Sequence, residues 1–357
     1  MTCPEHHQKR RRLLALLEVE ELDAVVLRRP GNVAWYSGGG RSHVLATPDV
    51  GVADLVVTRD GDQVVTTENE AARLEDEELA GLAATFRVLP WEEDRVGALP
   101  SGPRVGADAP LPGVRDVAGA VEVARRALTA AEADRYRALG RDAAAALTAA
   151  GAAVAPTDTE HGAAARVAAA LLERGVDPVV LLVAGERRLP LHRHPLPTGA
   201  ELGRLAMLVA CGRRHGLVAS LTRLVAFGLP DRLRAAHDGL LRVDVAFNLA
   251  TVPGQTVGAA FRAGRAAYVA EGFGPEEWRR HHQGGPTGYE ARDYLATADA
   301  PARVEDGQAF AWNPTVPSLK SEDTVLARAG PPEVLTVDPA WPATEVAGLR
   351  RPLVLER

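Results

Sequence analysis

Apolar residues recur along the chain in two registers, and the register changes about a third of the way through. Leu13, Leu14, Leu16 and Leu17 fall on one face of a first helix, and residues 23–27, Asp-Ala-Val-Val-Leu, read as a buried strand. Residues 52–58 and 63–67 flank Arg59-Asp60-Gly61-Asp62, an Asp-Gly hairpin signal. A charged helix over residues 70–79 and a strand at 86–89 follow. Proline and glycine then crowd residues 100–113, which predicts a linker or domain boundary. Beyond it, helical patterns cover residues 130–149, 157–174 (capped by Asp158 or Thr159), 230–246 and 257–271. Short apolar runs at 179–184, 205–211, 217–225, 309–316 and 324–327 read as a curved antiparallel sheet. The expected class is α+β, with a smaller α/β domain over residues 1–120 and a larger α+β domain over 121–357.

Two shorter features yield local expectations. His6 and His7 sit in a polar terminus, predicted to be disordered. Gly38-Gly39-Gly40 follow an apolar run but lack both the GxGxxG spacing and a Lys-Ser/Thr, so they predict a tight turn after a strand rather than a phosphate cradle.

Composition narrows the functional classes. At 357 residues, two domains are the default. A net charge of -6, with Arg10-Arg11-Arg12 as the densest basic run, argues against nucleic acid as a partner. Cys3 and Cys211 show neither a disulfide framework nor zinc-knuckle spacing. No apolar run reaches the ~20 residues that span a bilayer, and the leucines after the arginine run are interrupted at once by glutamates. The expectation is a cytoplasmic protein with no membrane partner.

Candidate chemistry gathers in residues 280–323, where adjacent histidines, a Gly-Gly turn, Tyr289, Arg292, Lys320 and several carboxylates surround two apolar runs. Each residue also has a plain structural reading. His281 and His282 can be an exposed polar turn, with His281 the more structural of the two. Asn313 can end a strand by satisfying a buried backbone group, and Glu322-Asp323 can be a solvated pair. Cys211, inside an apolar strand, reads as a packed small hydrophobe. Ser220 lacks the GxSxG surroundings of a nucleophile elbow. Arg223 reads as a structural contact or as a grip on a substrate carboxylate.

Taken together, six motifs in order resemble the creatinase/prolidase/aminopeptidase P family. They are His192/His194 before a strand, Ala210-Cys-Gly212, Ser220-Leu-Thr-Arg223, His282-Gln-Gly-Gly285, Asn313-Pro314 and Glu322-Asp323-Thr324. The segment Asn-Val-Ala-Trp-Tyr-Ser-Gly, residues 32–38, is similar to the family's smaller domain. The resemblance implies a C-terminal pita-bread domain, a curved antiparallel sheet with helices on one side, behind a creatinase-type N-terminal domain, and it implies a homodimer. Family peptidases hold two metals with two Asp, one His and two Glu. Here the aligned acidic positions read Ala210, Ser220 and Asn313, so His282 and Glu322 alone remain. One imidazole and one carboxylate do not assemble a bridged pair of hard cations, and no metal or other cofactor is expected.

Creatinase, which hydrolyses a C–N bond without metal, supplies the roles that the resemblance implies. His194 or His192 would be the proton shuttle, a task suited to an imidazole, with His282 a second acid or base and Glu322 orienting it. Arg223, Arg292, Lys320, Asn313 and Tyr289 would contact substrate, and Arg41 would reach across the dimer. The expected function is metal-independent hydrolysis of a C–N bond in a small polar or amino-acid-derived substrate. Two other readings stand beside it: a pseudoenzyme that keeps the fold as a binding module, and an Xaa-Pro-type metallopeptidase with an atypical metal site.

Overall fold

The computed structural model describes residues 4–357; Cys3 lies outside the described residues. The chain forms two compact units, one running to Glu132 and including His215–Leu217, the other comprising Ala133–Arg214 and Val218–Arg357.

In the first unit α1 (Pro4–Val19), β1 (Ala24–Leu27), α2 (Pro30–Ser37), β2 (Ala53–Thr58), β3 (Asp62–Thr67), α3 (Glu68–Arg73), β4 (Ala84–Leu89), β5 (Val105–Ala107), β6 (Arg115–Asp116) and α4 (Ala118–Arg125) follow in order. The sheet order is β4-β3-β2-β1-β5-β6, with β1, β2 and β3 antiparallel and the outer pairings parallel. Val26, Val56, Val65 and Ala107 centre its core.

Three expectations are corrected here. His6 and His7 lie within α1, and His6 is buried edge-on against Tyr36 with its Nε2 3.6 Å from Asp62. The burial of an otherwise polar turn against Tyr36 and Asp62 is tertiary information that the local pattern lacks. The glycine run follows a helix rather than a strand: Gly38 caps α2 at φ 84°, the left-handed geometry that favours glycine. The Pro/Gly-rich stretch 100–113 contains β5, paired in parallel with β1. Gly106 belongs there because a Cβ would meet Leu22 and Val117 at 2.8 Å.

The second unit opens with α5 (Ala130–Ala153), whose first residues belong to the first unit. Then come α6 (Glu160–Leu172), β7 (Asp177–Gly185), β8 (Leu205–Arg214), β9 (Leu217–Ala226), α7 (Asp231–Ala250) and α8 (Val257–Ala270). The remaining strands are β10 (Gly284–Thr287), β11 (Ala309–Trp312), β12 (Thr315–Val316), β13 (Leu319–Lys320), β14 (Asp323–Leu326), β15 (Glu333–Val334), β16 (Ala343–Val346), β17 (Leu349–Pro352) and β18 (Leu355–Glu356). Thr159 caps α6, its side chain accepting from Gly162 N–H. Two four-stranded sheets run β18-β9-β8-β7 and β10-β11-β14-β15. Leu240, Val243 and Phe247 of α7 and Val257, Ala260 and Phe261 of α8 share one apolar core with Met207, Val209, Phe310 and Trp312 of the strands. Phe247 stacks on Trp312 at 4.8 Å. Among the described residues no helix is long and apolar enough to cross a membrane.

Candidate active site

The β8–β9 hairpin sets the floor of the site. His215 at φ 52° and Gly216 at φ 78° form the two-residue turn whose twist suits paired strands. That turn places Cys211 opposite Ser220, and the Ser220 Oγ lies 3.2 Å from the Cys211 Sγ. Strand side chains alternate between faces, so Ala210 points the other way. The residue facing Ser220 is thus Cys211. Burial pushes the Cys211 thiol up, so it is no thiolate at neutral pH.

Glu322 enters beside this floor, immediately before β14. Its backbone carbonyl accepts from Thr222 N–H at 3.0 Å. One carboxylate oxygen accepts from Lys320 Nζ at 2.8 Å and Thr222 Oγ1 at 2.9 Å, and the other from Arg292 Nη2 at 2.8 Å. Burial alone would raise this carboxyl, but the two cations and the hydrogen bonds hold it at about 2. Arg292 also reaches Ser220 Oγ at 3.3 Å, while its Nε is buried without a partner.

Three imidazoles complete the cluster. His281 and His282 precede β10, where Gly284 at φ 90° lets the backbone press against Ala311; a Cβ there would sit 2.1 Å from the Ala311 carbonyl. His194 comes from the irregular segment between β7 and β8 and is exposed. His281 Nε2 and His194 Nε2 are 2.8 Å apart, and His281 and His282 stack at 4.4 Å. Burial and the nearby cations depress all three rings: His281 to about 2, through burial, Lys320 and the other two rings; His282 to about 4, through burial, Arg292 and His194; His194 below 6.5, through burial and Lys320. At neutral pH the three rings are uncharged.

The structure thus brings together His194, His282, Glu322, Lys320 and Arg292 from the expected set. His192 is exposed and lines a cleft with Met207, Thr315 and Lys320. Asn313 is buried just after β11 with its Oδ1 unpartnered, its N–H donating to the Gln283 carbonyl. Tyr289 is buried beyond the end of β10. Arg41 lies in the first unit, where Glu78 holds its guanidinium at 2.8 Å. Arg223 does not join the site. One residue on from Thr222, it points to the opposite face of β9 and donates to Asp323 Oδ1 at 3.0 Å and the Thr336 carbonyl at 2.6 Å. Sequence reasoning set His281 aside as structural, yet it is the ring that touches His194. The adjacency of two histidines before a glycine turn was the available signal.

The donor set does not fit two bridged divalent ions. Cys211, Ser220 and Asn313 are neutral, and both oxygens of Glu322 are already engaged by ammonium and guanidinium groups. A metal pair would need anionic oxygens that these positions do not offer.

The sequence profile of metallopeptidase family M24 matches residues 134–329, more than half of the chain. No curated protein sequence matches it. Among solved structures, the chain is similar to an Xaa-Pro dipeptidase from Bacillus anthracis, at TM-score 0.79 and 15% identity over 99% of this chain and 100% of that one. It is similar to dipeptidase PepE from Mycobacterium ulcerans, at TM-score 0.78 and 18% identity over 100% of both. A third likeness is to the N-terminal domain of the FACT complex subunit SPT16 from Cicer arietinum (chickpea), at TM-score 0.68 and 15% identity over 93% and 96% of the two chains. These likenesses bear out the α+β, pita-bread architecture expected from the six motifs.

Proposed function

The chain belongs to metallopeptidase family M24, and from that premise we propose that it hydrolyses a C–N bond in a small polar, amino-acid-derived substrate by proton transfer through side chains, without the paired metals. The observation that carries the proposal is the exposed imidazole of His194 resting on buried His281 at 2.8 Å, beside a carboxylate already neutralised by Lys320 and Arg292. With His281 Nε2 accepting the His194 Nε2–H, the exposed His194 ring keeps its lone pair on Nδ1. It takes a proton from water as the water oxygen bonds to the carbon, and returns that proton to the departing nitrogen as the C–N bond breaks. Lys320 and Arg292, two cations against the one carboxylate of Glu322, leave a positive charge that attracts the substrate's carboxylate. Glu322 holds these two cations in place and keeps them apart.

The test is a screen of amidines, ureas, cyclic amides and Xaa-Pro dipeptides with chelator-treated protein, using His194→Ala and His282→Ala as controls. Turnover that survives chelation and is lost in His194→Ala supports the reading. Turnover untouched by His194→Ala, or absent until Mn2+ or Co2+ is restored, overturns it.

A second reading, a non-catalytic binding module, is favoured by the likeness to the SPT16 domain, which is part of a complex. Failure of the whole screen, with retention of a protein partner that His282→Ala does not weaken, would select it.

A further inference from the structure

We infer that His194, His281 and His282 form a capture site for a single late transition-metal ion of the zinc, copper or nickel class, and that occupancy switches the hydrolase off. The inhibitory half rests on the function proposed above; the binding half does not. One nitrogen from each ring lies within 4.8 Å of the others, and two of these nitrogens are already 2.8 Å apart. A tetrahedral ion with Zn–N bonds of ~2.0–2.1 Å needs nitrogens about 3.3 Å from one another. The spacing therefore needs an adjustment of an ångström or so, and His194 can supply it, being exposed on an irregular segment outside β7 and β8. His281 and His282 are the fixed half, held by the turn into β10.

The chemistry selects the metal. Three imidazoles with no carboxylate among them suit zinc, copper and nickel, and are poor hosts for magnesium, calcium or manganese. His281 Nδ1, buried and unpartnered, can carry the ring proton when Nε2 gives up its lone pair. The site is also distinct from a bridged pair, because Glu322, the single carboxylate at hand, is committed to Lys320 and Arg292. Those two cations weaken binding by repulsion, which points to a reversible site.

The consequence follows from counting lone pairs. A neutral imidazole has one, and a ring that gives it to a metal cannot take a proton. Zinc at the trio therefore disables His194, and chelation releases it. This is the reverse of an enzyme whose metal does the chemistry.

The experiment titrates tag-free, chelator-treated full-length protein with Zn2+ by calorimetry and with Co2+ by visible absorption, without any substrate. Expected are one ion per chain and the d–d bands of a four-coordinate site. Loss of supporting groups around metal sites typically costs 10–100-fold in affinity, so loss of a ligand in His194→Gln should weaken binding by at least about 100-fold. His194 is exposed, so this variant keeps its fold, which far-UV dichroism checks. His161→Gln, a surface histidine elsewhere, should bind as the parent does. No stoichiometric binding, or full binding in His194→Gln, overturns the site. The activity arm separates the two proposals. Zinc bound at the trio with turnover rising would keep the site but remove metal-free hydrolysis and the off-switch; turnover with no zinc binding would do the opposite.

Discussion

The two faces of β9 and of the chain entering β14 carry two ionic clusters built from adjacent residues, and they behave differently. On one face Thr222 and Glu322 meet Lys320, Arg292 and the histidines, with two cations sharing one carboxylate. On the other, Arg223 and Asp323 meet Arg351 and Asp244, two cations and two carboxylates. Ser321 donates to Asp244 and Thr336 donates to Asp323 at 2.6 Å. The rear cluster is matched in charge and wholly buried, with Trp341 lying 5.9 Å beneath the Arg223 guanidinium. Both keep unpartnered buried polar atoms, Arg292 Nε and Asn313 Oδ1 in front and Arg223 Nε, Arg351 Nε and Arg351 Nη1 behind, so satisfaction does not separate them. A cluster matched in charge and closed to water holds a fold together. One with an excess cation beside an exposed imidazole, His194, is built to meet something else.

The two faces differ most at His194. His194→Ala should lower turnover about 10²–10⁴-fold, the usual worth of a positioned acid or base. Its unfolding free energy should move by no more than ~0.5 kcal/mol, because the ring is exposed. Loss of stability without loss of turnover would place the ring in the structural class instead.

Next in size is the rear. Arg351→Met leaves Asp244 and Asp323 short of their buried cation and should cost about 3–5 kcal/mol, read by urea denaturation. Because the rear does not touch substrate in the proposed scheme, the folded fraction should keep its turnover. A variant of parental stability would show that the charges are not matched as described.

How much of this division was open to sequence reading depends on period. The hydrophobic pattern placed α5 to α8, with Asp158 or Thr159 as the cap of α6, and the strands β7, β8, β9, β11 and β14, because those signals are local; β10, β13 and β15 to β18 are too short or too polar to show in it. The pleat decided what sequence could not. Thr222 and Arg223 look alike as polar neighbours, yet one faces Glu322 and the other faces Asp323. The His215-Gly216 turn sets Cys211 opposite Ser220, a cross-strand pairing to which a motif alignment has no access. His6 was misjudged for a related reason: its partners Tyr36 and Asp62 are distant in the chain.

Acid acts on the front cluster more gently than substitution does. The buried rings resist protonation in the native state, His281 down to about 2 and His282 down to about 4, whereas the unfolded chain protonates them near 6.5. Below pH 6.5 the unfolded state therefore binds more protons, and stability falls as pH falls. Glu322 acts in the same direction lower down. Its carboxyl is held at about 2 against an ordinary 4.5, so its contribution is complete above pH 4.5 and fades as pH drops toward 2. Denaturation midpoints should decline from pH 6.5 downward, less steeply in His281→Gln. Midpoints level between pH 6.5 and 5 in the parent would show that the rings are not held neutral. Turnover should persist below pH 6.5, since the depressed His194 stays a base there.

The smallest expected effect concerns the neutral pair on the β8–β9 hairpin. Ser220 Oγ and Cys211 Sγ share one neutral contact at 3.2 Å, and neither is assigned a proton-transfer role. Cys211→Ala should cost about 1 kcal/mol of stability, as for a single neutral hydrogen bond, and leave kcat/KM within about tenfold. With its thiol buried and raised, Cys211 should also resist alkylation in the folded protein and react once the chain is unfolded. A rapid reaction in the native state, accompanied by loss of turnover, would transfer the chemistry from the rings to the thiol and dissolve the contrast between an active front and a structural rear at this point of the sheet.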